Sequence, residues 1–224
     1  MKLLNIKHTN YLIIILFLLS VIPLYAQDKD HNQYYSIIKK NSTKYNLHYK
    51  MVLAIAKTES RFNSKAVSNK NARGIMQIVP ATAGIEAWKY VYGKDSIPPH
   101  DSIFDNPSEN IKLGCAYIAS LDRHYFKKIK DPISKMYCLI AAYNTGASNV
   151  AKAFVNEDDI SKHISKDEYD MLSKYRKLNV KLEIMLEKIN SSDSEVVKQN
   201  MLNNLPYQQT VDYLNKVLGH MENL

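Results

Sequence analysis

Four prolines that stand at the starts of helical patterns constrain the fold of this 224-residue chain more than any other feature. Proline is favoured at the first position of an α-helix, because that position needs no N–H and the proline φ angle is already helical. An apolar pattern of helical period follows each of the four. We therefore predict helices that begin at Pro80, Pro107, Pro132 and Pro206.

Capping residues indicate where two of these helices begin and end. Asn106 precedes Pro107, and Glu109 follows three residues after Asn106, which predicts a capping box. Gly93 is expected to end the Pro80 helix in the left-handed conformation. A loop is predicted over residues 94–106.

Residues 64–79 lack the helical period, and the alternation in the stretch GIMQIV, which begins at Gly74, predicts a short strand. The predicted fold class is therefore mainly α (α+β), a helical domain with a small β element near residues 64–79.

A further long helix is predicted from about Ser165 to Ile189, because its apolar residues recur at helical spacing. Two interpretations stay open: the helix packs on its own domain, or it docks a partner. The residues of this seam are Met171, Tyr175, Leu178, Leu182, Met185 and Ile189.

The first 26 residues have the pattern of a secretory signal peptide. Lys2 and Lys7 precede an uncharged run from Tyr11 to Leu24, and small Ala26 stands before a polar segment. The run is shorter than the roughly 20 residues that span a bilayer. We expect residues 1–26 to be removed and the protein to be exported without a stable membrane span; the alternative is an uncleaved N-terminal anchor.

Charge and cysteine content limit the remaining possibilities. The formal charge is +8, and without Lys2 and Lys7 it is 28 − 22 = +6. Acids are interleaved with these bases and leave no basic stripe, so no nucleic-acid partner is predicted. In an exported protein Cys115 and Cys138 either form a structural disulfide or remain two small apolar residues. The seven histidines show no metal-ligand spacing, so we expect no metal and no cofactor.

Glu59 stands on the apolar face of a predicted helix with the sequence YKMVLAIAKTES. Val52, Ile55 and Ala56 form the apolar stripe, and Glu59 occupies the next position of that stripe. Burial there would raise the pKa of the carboxyl, as a general acid near neutral pH requires. The alternative is a structural ion pair between Glu59 and Arg61 or Arg73.

Three short motifs in order resemble the catalytic domain of the lytic transglycosylases, lysozyme-like enzymes that cut bacterial peptidoglycan. They are Glu59-Ser60, the stretch GIMQ from Gly74 to Gln77, and Ala142-Tyr143-Asn144. The C-terminal residues 189–218 resemble, more loosely, the tail of the membrane-bound transglycosylase C type. The resemblance implies one lysozyme-like domain over residues 27–224 with a helical insert at about 155–188, which is a lid, a substrate wall or a partner surface.

The resemblance also implies the chemistry and the site. Glu59 would first protonate the leaving oxygen and then, as a carboxylate, deprotonate the C6 hydroxyl of N-acetylmuramic acid, which closes a 1,6-anhydro ring. Glu86, the other acid between Lys57 and Lys94, is expected on a solvated face. Tyr143 is expected to orient Glu59 or to polarise the reacting centre. The expected substrate-binding residues are Ser60, Ser68, Gly74, Met76, Gln77, Tyr143, Asn144 and Tyr213.

The roles of Met76 and Tyr143 each have an alternative interpretation, and one C-terminal motif differs from the family's sequence. Met76 either lines the groove or belongs to the core, and Tyr143 is either in the site or caps a turn before Gly146. The family's Glu-Thr-Arg-x-Tyr appears as residues 209–213, with Gln209 and Val211 replacing the acid and the arginine. No charged contact is therefore expected at that end of the cleft.

The implied function is that of an exported enzyme of the periplasm or cell envelope, and its expected partner is the peptidoglycan glycan strand. The excess positive charge would attract it weakly to an anionic cell wall. Two alternatives remain at the sequence level. One is a goose-type lysozyme-like hydrolase that uses water. The other is an inactive glycan-binding or assembly protein of a secretion or conjugation machinery.

Overall fold

The computed structural model describes residues 33–97 and 100–224, in which α-helices predominate. The predicted signal peptide at 1–26 lies outside these residues. The helices are α1 (residues 33–44), α2 (Tyr49–Ser60), α3 (Ile85–Tyr92), α4 (Pro107–Leu121), α5 (Pro132–Thr145), α6 (Ala147–Lys152), α7 (Glu157–Ser161), α8 (Lys166–Met171), α9 (Lys174–Asn190), α10 (Ser194–Asn204) and α11 (Gln208–Glu222).

The predicted helix starts at Pro107 and Pro132 are confirmed. The Asn106 side chain caps α4 and accepts hydrogen bonds from the N–H groups of Ser108 (3.0 Å) and Glu109 (3.1 Å). The reciprocal half of the capping box is absent, because the Glu109 carboxylate pairs with Lys112 at 3.1 Å.

The helical segment at Pro80 begins as predicted, whereas the start predicted at Pro206 is displaced. Pro80 begins a π-helical turn (Pro80–Gly84) that leads into α3, and α3 ends at Gly93 with φ 107°, as predicted. Helix α11 begins at Gln208, two residues after Pro206, because Tyr207 still has an extended backbone.

The predicted strand in the GIMQIV stretch is wrong. Arg73 forms isolated antiparallel bridges with Val67 and Ile78, and the described part of the chain contains no longer strand. Gly74 (φ 71°) and Gln77 (φ 46°) have left-handed backbones, which interrupt an extended run. The β element near residues 64–79 is thus reduced to two bridges in a compact loop.

The single helix predicted from Ser165 to Ile189 is also wrong, because the helix is interrupted between α8 and α9. The Ser173 side chain caps α9 and accepts a hydrogen bond from the Arg176 N–H at 3.4 Å. The predicted seam packs on the domain from Leu178 onwards: Leu182 and Met185 are buried, whereas Tyr175 is 72% exposed.

Cys115 and Cys138 are free, fully buried thiols. Burial raises the pKa of each to about 12. Of the two sequence-level alternatives, the structure has the small apolar residues and not the disulfide.

A buried asparagine in the first turn of α4 joins three segments. Asn110 Oδ1 accepts a hydrogen bond from the Met76 N–H at 2.7 Å, and Nδ2 donates to the carbonyls of Arg73 and Phe104, both at 2.8 Å. Asn110 itself is fully buried. Its amide therefore satisfies loop groups that have no partner in a regular element.

The C-terminal helix returns to the N-terminal half of the domain. Helix α11 packs against α2 and α5, so residues from opposite ends of the chain become neighbours. Over residues 33–97 and 100–224, no helix has both the length and the apolar character needed to cross a bilayer.

We predict that Asn110→Ala lowers the free energy of unfolding by about 3 kcal/mol, because it leaves several buried backbone groups without a partner. Urea unfolding measures the loss. Asn215→Ala is the control, since Asn215 is exposed on α11, and we expect it to change stability by less than about 0.5 kcal/mol. Equal effects of the two substitutions would contradict the role of Asn110.

Candidate active site

Glu59 lies in the last turn of α2, at the edge of the core. Val52, Ile55 and Ala56 on the same stripe are fully buried, as the sequence pattern indicates, whereas Glu59 is partly buried. The chain turns away at once, because Arg61 (φ 53°) and the following residue have left-handed backbones. The carboxyl therefore stands at a helix end, where a ligand can reach it.

Tyr213 of α11 is the hydrogen-bond partner of this carboxyl. Its hydroxyl donates to Glu59 Oε1 at 2.7 Å, across a separation of 154 residues. Burial raises the pKa of Glu59 to about 7, and the hydrogen bond from Tyr213 opposes this rise. Because desolvation is the larger effect, both protonation states of Glu59 are populated near neutral pH.

Glu59 has no ion-pair partner among the residues that the structure describes. Arg73 pairs with Asp105 instead, at 2.9 Å. The alternative of a structural ion pair with Arg61 or Arg73 is therefore not what the fold contains. Within residues 33–97 and 100–224, no ion pair offsets the desolvation of the carboxyl.

Ser60 and Tyr143 hold the loop beside Glu59. Ser60 Oγ donates to the Ile75 carbonyl at 2.8 Å, and the Tyr143 hydroxyl donates to the Met76 carbonyl at 2.6 Å. Tyr143 is buried, and burial together with the nearby Glu59 charge raises its pKa well above the ordinary value. The Tyr213 hydroxyl, and not that of Tyr143, therefore contacts Glu59. Tyr143 does not cap the turn before Gly146, because its hydroxyl bonds to Met76.

Gly74 and Met76 are packed against α4. A Cβ at Gly74 would lie 2.5 Å from Asn110 Nδ2, and φ there is 71°, so Asn110 and the turn explain this glycine without any sugar. Met76 is fully buried, and its side chain occupies the space over Gly114, where a Cβ would lie 2.7 Å from Met76 Cγ. The structure therefore supports the interpretation of Met76 as a core residue.

The side-chain amide of Gln77 donates its hydrogen bonds to the backbone. Its Nε2 donates to the carbonyls of Ala66 (3.1 Å) and Gly74 (2.9 Å). Only Oε1 of this expected substrate-binding residue therefore remains for a ligand. The side chain also stabilises the left-handed turn at its own position.

Ser68 and Asn144 are the most exposed of the expected residues. Ser68 Oγ accepts hydrogen bonds from the N–H groups of Ala72 (3.1 Å) and Lys70 (3.3 Å), and its own hydroxyl proton is uncommitted. Asn144 Oδ1 accepts from Thr210 Oγ1 at 3.0 Å, which leaves its Nδ2 available.

Sequence reasoning missed Asn110 and Thr210. Asn110 shares the apolar face of α4 with Leu113 and Gly114, and this stripe position is the same signal that identified Glu59. Thr210, which is buried and stands one helical turn before Tyr213, belongs to the motif at residues 209–213 but was not among the expected site residues. Through Thr210 and Tyr213, α11 contacts both Asn144 and Glu59.

The predicted solvated position of Glu86 is wrong. Its side chain is partly buried, and Oε1 accepts a hydrogen bond from the buried Ser120 hydroxyl at 2.7 Å. Burial and the Glu86 charge raise the pKa values of Tyr117 and Tyr125. A second carboxylate therefore lies among tyrosines of α4 and of the turn that follows it.

Comparisons with known proteins find similar sequences and a similar fold. The family model described as "Transglycosylase SLT domain" matches residues 36–165. A protein of Salmonella arizonae named "Membrane-bound lytic murein transglycosylase C" is 40% identical over 130 residues, 58% of this chain and 36% of the relative. Its namesake from Pectobacterium atrosepticum is 39% identical over 132 residues, 59% of this chain and 36% of the relative. The matched segment thus spans about a third of each relative's length.

A solved structure shows the same fold. The 70 kDa soluble lytic transglycosylase of Escherichia coli superposes with a TM-score of 0.52 and 19% identity, covering 84% of this chain and 23% of that one. This likeness confirms the predicted fold class, a mainly helical lysozyme-like domain.

We predict that Tyr213→Phe raises the pKa of Glu59 above about 7, because the hydrogen bond that stabilises the carboxylate is lost while burial remains. A ¹³C NMR titration of the Glu59 side-chain carboxyl measures the change. Tyr207→Phe is the matched control, since Tyr207 is the residue before α11 and is 53% exposed. An unchanged Glu59 pKa in Tyr213→Phe would contradict the assigned hydrogen bond.

We also predict that Glu59 makes folding pH-dependent. Its folded pKa (about 7) lies above the ordinary value of 4.5, so the stability present below pH 4.5 is lost as pH rises towards 7. Glu59→Gln keeps a carbonyl acceptor for Tyr213 and removes this loss. Relative to wild type the variant should gain up to about 3 kcal/mol between pH 4 and pH 8.

Urea unfolding at several pH values measures this gain, with Glu222→Gln as an exposed control that should follow the wild-type profile. Parallel pH profiles for Glu59→Gln and wild type would contradict the burial of an ionisable carboxyl.

Proposed function

This chain belongs to the transglycosylase SLT domain family, and we propose that it is an exported lytic transglycosylase that cleaves the glycan strands of peptidoglycan. One observation carries the proposal: Glu59 is a partly desolvated carboxyl with a pKa of about 7, and no residue that the structure describes forms an ion pair with it. A group with this pKa serves as a general acid and, after losing its proton, as a general base.

The proposed reaction uses Glu59 twice. The protonated carboxyl gives its proton to the oxygen that joins N-acetylmuramic acid C1 to N-acetylglucosamine, and the C1–O bond breaks. The substrate's own acetamido group stabilises the oxocarbenium-like centre. Glu59, now a carboxylate, takes the proton of the C6 hydroxyl as that oxygen bonds to C1. The product carries a 1,6-anhydro ring, Glu59 is protonated again, and no water is consumed.

The environment of Glu59 supports both steps. Tyr213 holds Oε1, so Oε2 is the oxygen left to face a substrate. Most glycosidases need a second carboxylate because water or the enzyme supplies the nucleophile. Here the nucleophile belongs to the substrate, and a single acid suffices.

The remaining expected site residues divide into two groups under this proposal. Substrate contacts are assigned to Gln77 Oε1 as an acceptor and to the Ser68 hydroxyl and Asn144 Nδ2 as donors. Among the described residues, none of these three functions is used in another hydrogen bond. Positioning roles are assigned to Ser60, Tyr143 and Tyr213, whose side chains bond to the loop or to Glu59. Gly74 and Met76 position the loop by packing against α4.

Location and partners follow from the same proposal. The predicted signal peptide would deliver the domain to the periplasm or cell envelope, where its substrate lies. The named relatives are murein transglycosylases, which favours a peptidoglycan strand as the partner of this chain as well. Association with a secretion or conjugation machinery is compatible with the fold and has no specific contact to support it.

Digestion of purified sacculi tests the proposal. Wild-type protein should release muropeptides that end in 1,6-anhydromuramic acid, identified by mass spectrometry. Glu59→Gln should lower the rate at least about 100-fold, because the acid and the base are lost together, while Glu222→Gln should retain the wild-type rate. Reducing ends would identify a water-using hydrolase instead, and absence of cleavage by wild type would favour a glycan-binding protein.

A further inference from the structure

Helix α11 forms two side-chain hydrogen bonds with the last part of α2. The Tyr213 hydroxyl binds Glu59. His220, two turns further along α11, binds Thr58. Residues seven positions apart on a helix lie on one face, so Tyr213 and His220 both face α2. Because Thr58 directly precedes Glu59, the second bond is made at the residue next to the carboxyl, by a side chain to which the proposed function assigns no role.

The other hydrogen bond of Thr58 fixes the direction of its bond to His220. The Thr58 hydroxyl donates its one proton to the Ala54 carbonyl at 2.8 Å. Its oxygen therefore accepts from His220 Nδ1, which lies 3.0 Å away. The neutral imidazole accordingly carries its proton on Nδ1, and Nε2 is the atom that takes up a further proton in acid. Protonation thus adds a charge to a side chain that ties the last turn of α11 to α2.

The last turn of α11 is intrinsically weak, because it contains Gly219, and glycine is among the poorest helix formers. A Cβ at Gly219 would meet no atom within 4 Å, so packing does not require a glycine there. The place of this turn on α2 therefore depends on tertiary contacts, and the bond of His220 is one of them.

The surroundings of His220 disfavour a positive charge on its imidazole. Burial lowers the pKa of the ring from its ordinary value of 6.5, and the charges of Lys57, Lys216 and Arg61 lower it further. Lys57 and Arg61 belong to α2, whereas Lys216 belongs to α11 itself. Cations from both helices therefore face the ring.

Helix α5, which also packs against α11, supplies no compensating charge. Its one charged residue, Lys135, pairs with Asp122 at 3.3 Å. Among the residues that the structure describes, no carboxylate forms an ion pair with His220. The contact between the helices therefore favours a neutral imidazole. It has its full strength above pH 6.5 and is weakened as pH falls through the lowered pKa of His220.

We propose that His220 is a positioning residue of the active site, which holds α11 on α2 so that Tyr213 stays bonded to Glu59, and which loosens this contact in acid. The inference rests on the proposed function, because Glu59 is the general acid of that reaction. A single carboxyl that must be protonated gives a rate that falls only as pH rises, here above about 7. A second fall on the acid side is therefore the effect expected of His220.

Three variants separate the hydrogen bond from the charge. His220→Asn keeps a side-chain donor close to the Nδ1 position and cannot be protonated. His220→Leu fills the space without a donor, and the Thr58 hydroxyl keeps its bond to the Ala54 carbonyl. His163→Asn is the control, since His163 is an exposed histidine that bonds to Glu187 and not to α2 or α11.

The pH dependence of cleavage of soluble glycan strands tests the role of the charge. Between pH 6.5 and pH 4.5, kcat/KM of wild type and of His163→Asn should fall about fivefold, and that of His220→Asn less than about twofold. At pH 6.5, His220→Leu should lower kcat roughly fivefold with KM within about twofold, because Glu59 is misplaced and substrate binding is not. A fall in acid that persists unchanged in His220→Asn would overturn the proposal.

The pKa of Glu59 gives a second measurement that needs no turnover. In a ¹³C NMR titration, His220→Leu should raise the Glu59 pKa in the same direction as Tyr213→Phe, and the double variant should show no further rise. A loss of stability alone would not produce this shift. If wild type cleaves no glycan, the proposed function fails, while the shift still supports the positioning role. A Glu59 pKa that His220→Leu leaves unchanged overturns that role.

Discussion

A single loop, residues 73–78, receives one side-chain hydrogen-bonding group from each of three helices, and the site is built on it. Asn110 from α4, Ser60 from α2 and Tyr143 from α5 all bind backbone atoms of this loop. The loop has left-handed residues and only isolated bridges, so the Met76 N–H and the Ile75 and Met76 carbonyls take side chains as partners. Since Glu59 directly precedes Ser60, the same bonds fix the end of the helix that carries the carboxyl.

Helix α11 completes the site from the other end of the chain. Tyr213 and Thr210, one turn apart, contact Glu59 and Asn144. The motif that contains them lacks the family's acid and arginine, at Gln209 and Val211, but it keeps the threonine and tyrosine that make these contacts. Two opposing effects then act on Glu59. Burial favours the neutral acid and the tyrosine favours the carboxylate, and because burial is stronger the pKa settles near 7.

Predictions succeeded where the signal was local. The cap at Asn106 and the helix start at Pro132 are predictable from sequence because a proline fixes the first helical residue. The strand in GIMQIV failed because alternation says nothing of φ at Gly74 and Gln77. The long helix failed because a serine cap at Ser173 interrupts a pattern that otherwise keeps its period.

The sequence by itself determined the helical class, the starts of α4 and α5, and the one acid on an apolar stripe, since each depends on residues within a few positions of one another. Only the tertiary structure decided which hydroxyl reaches Glu59, that Gly74 makes room for Asn110, and that Glu86 is partly buried. These contacts join residues far apart in the chain, and polar side chains look alike in sequence whether water or a buried backbone group is their partner.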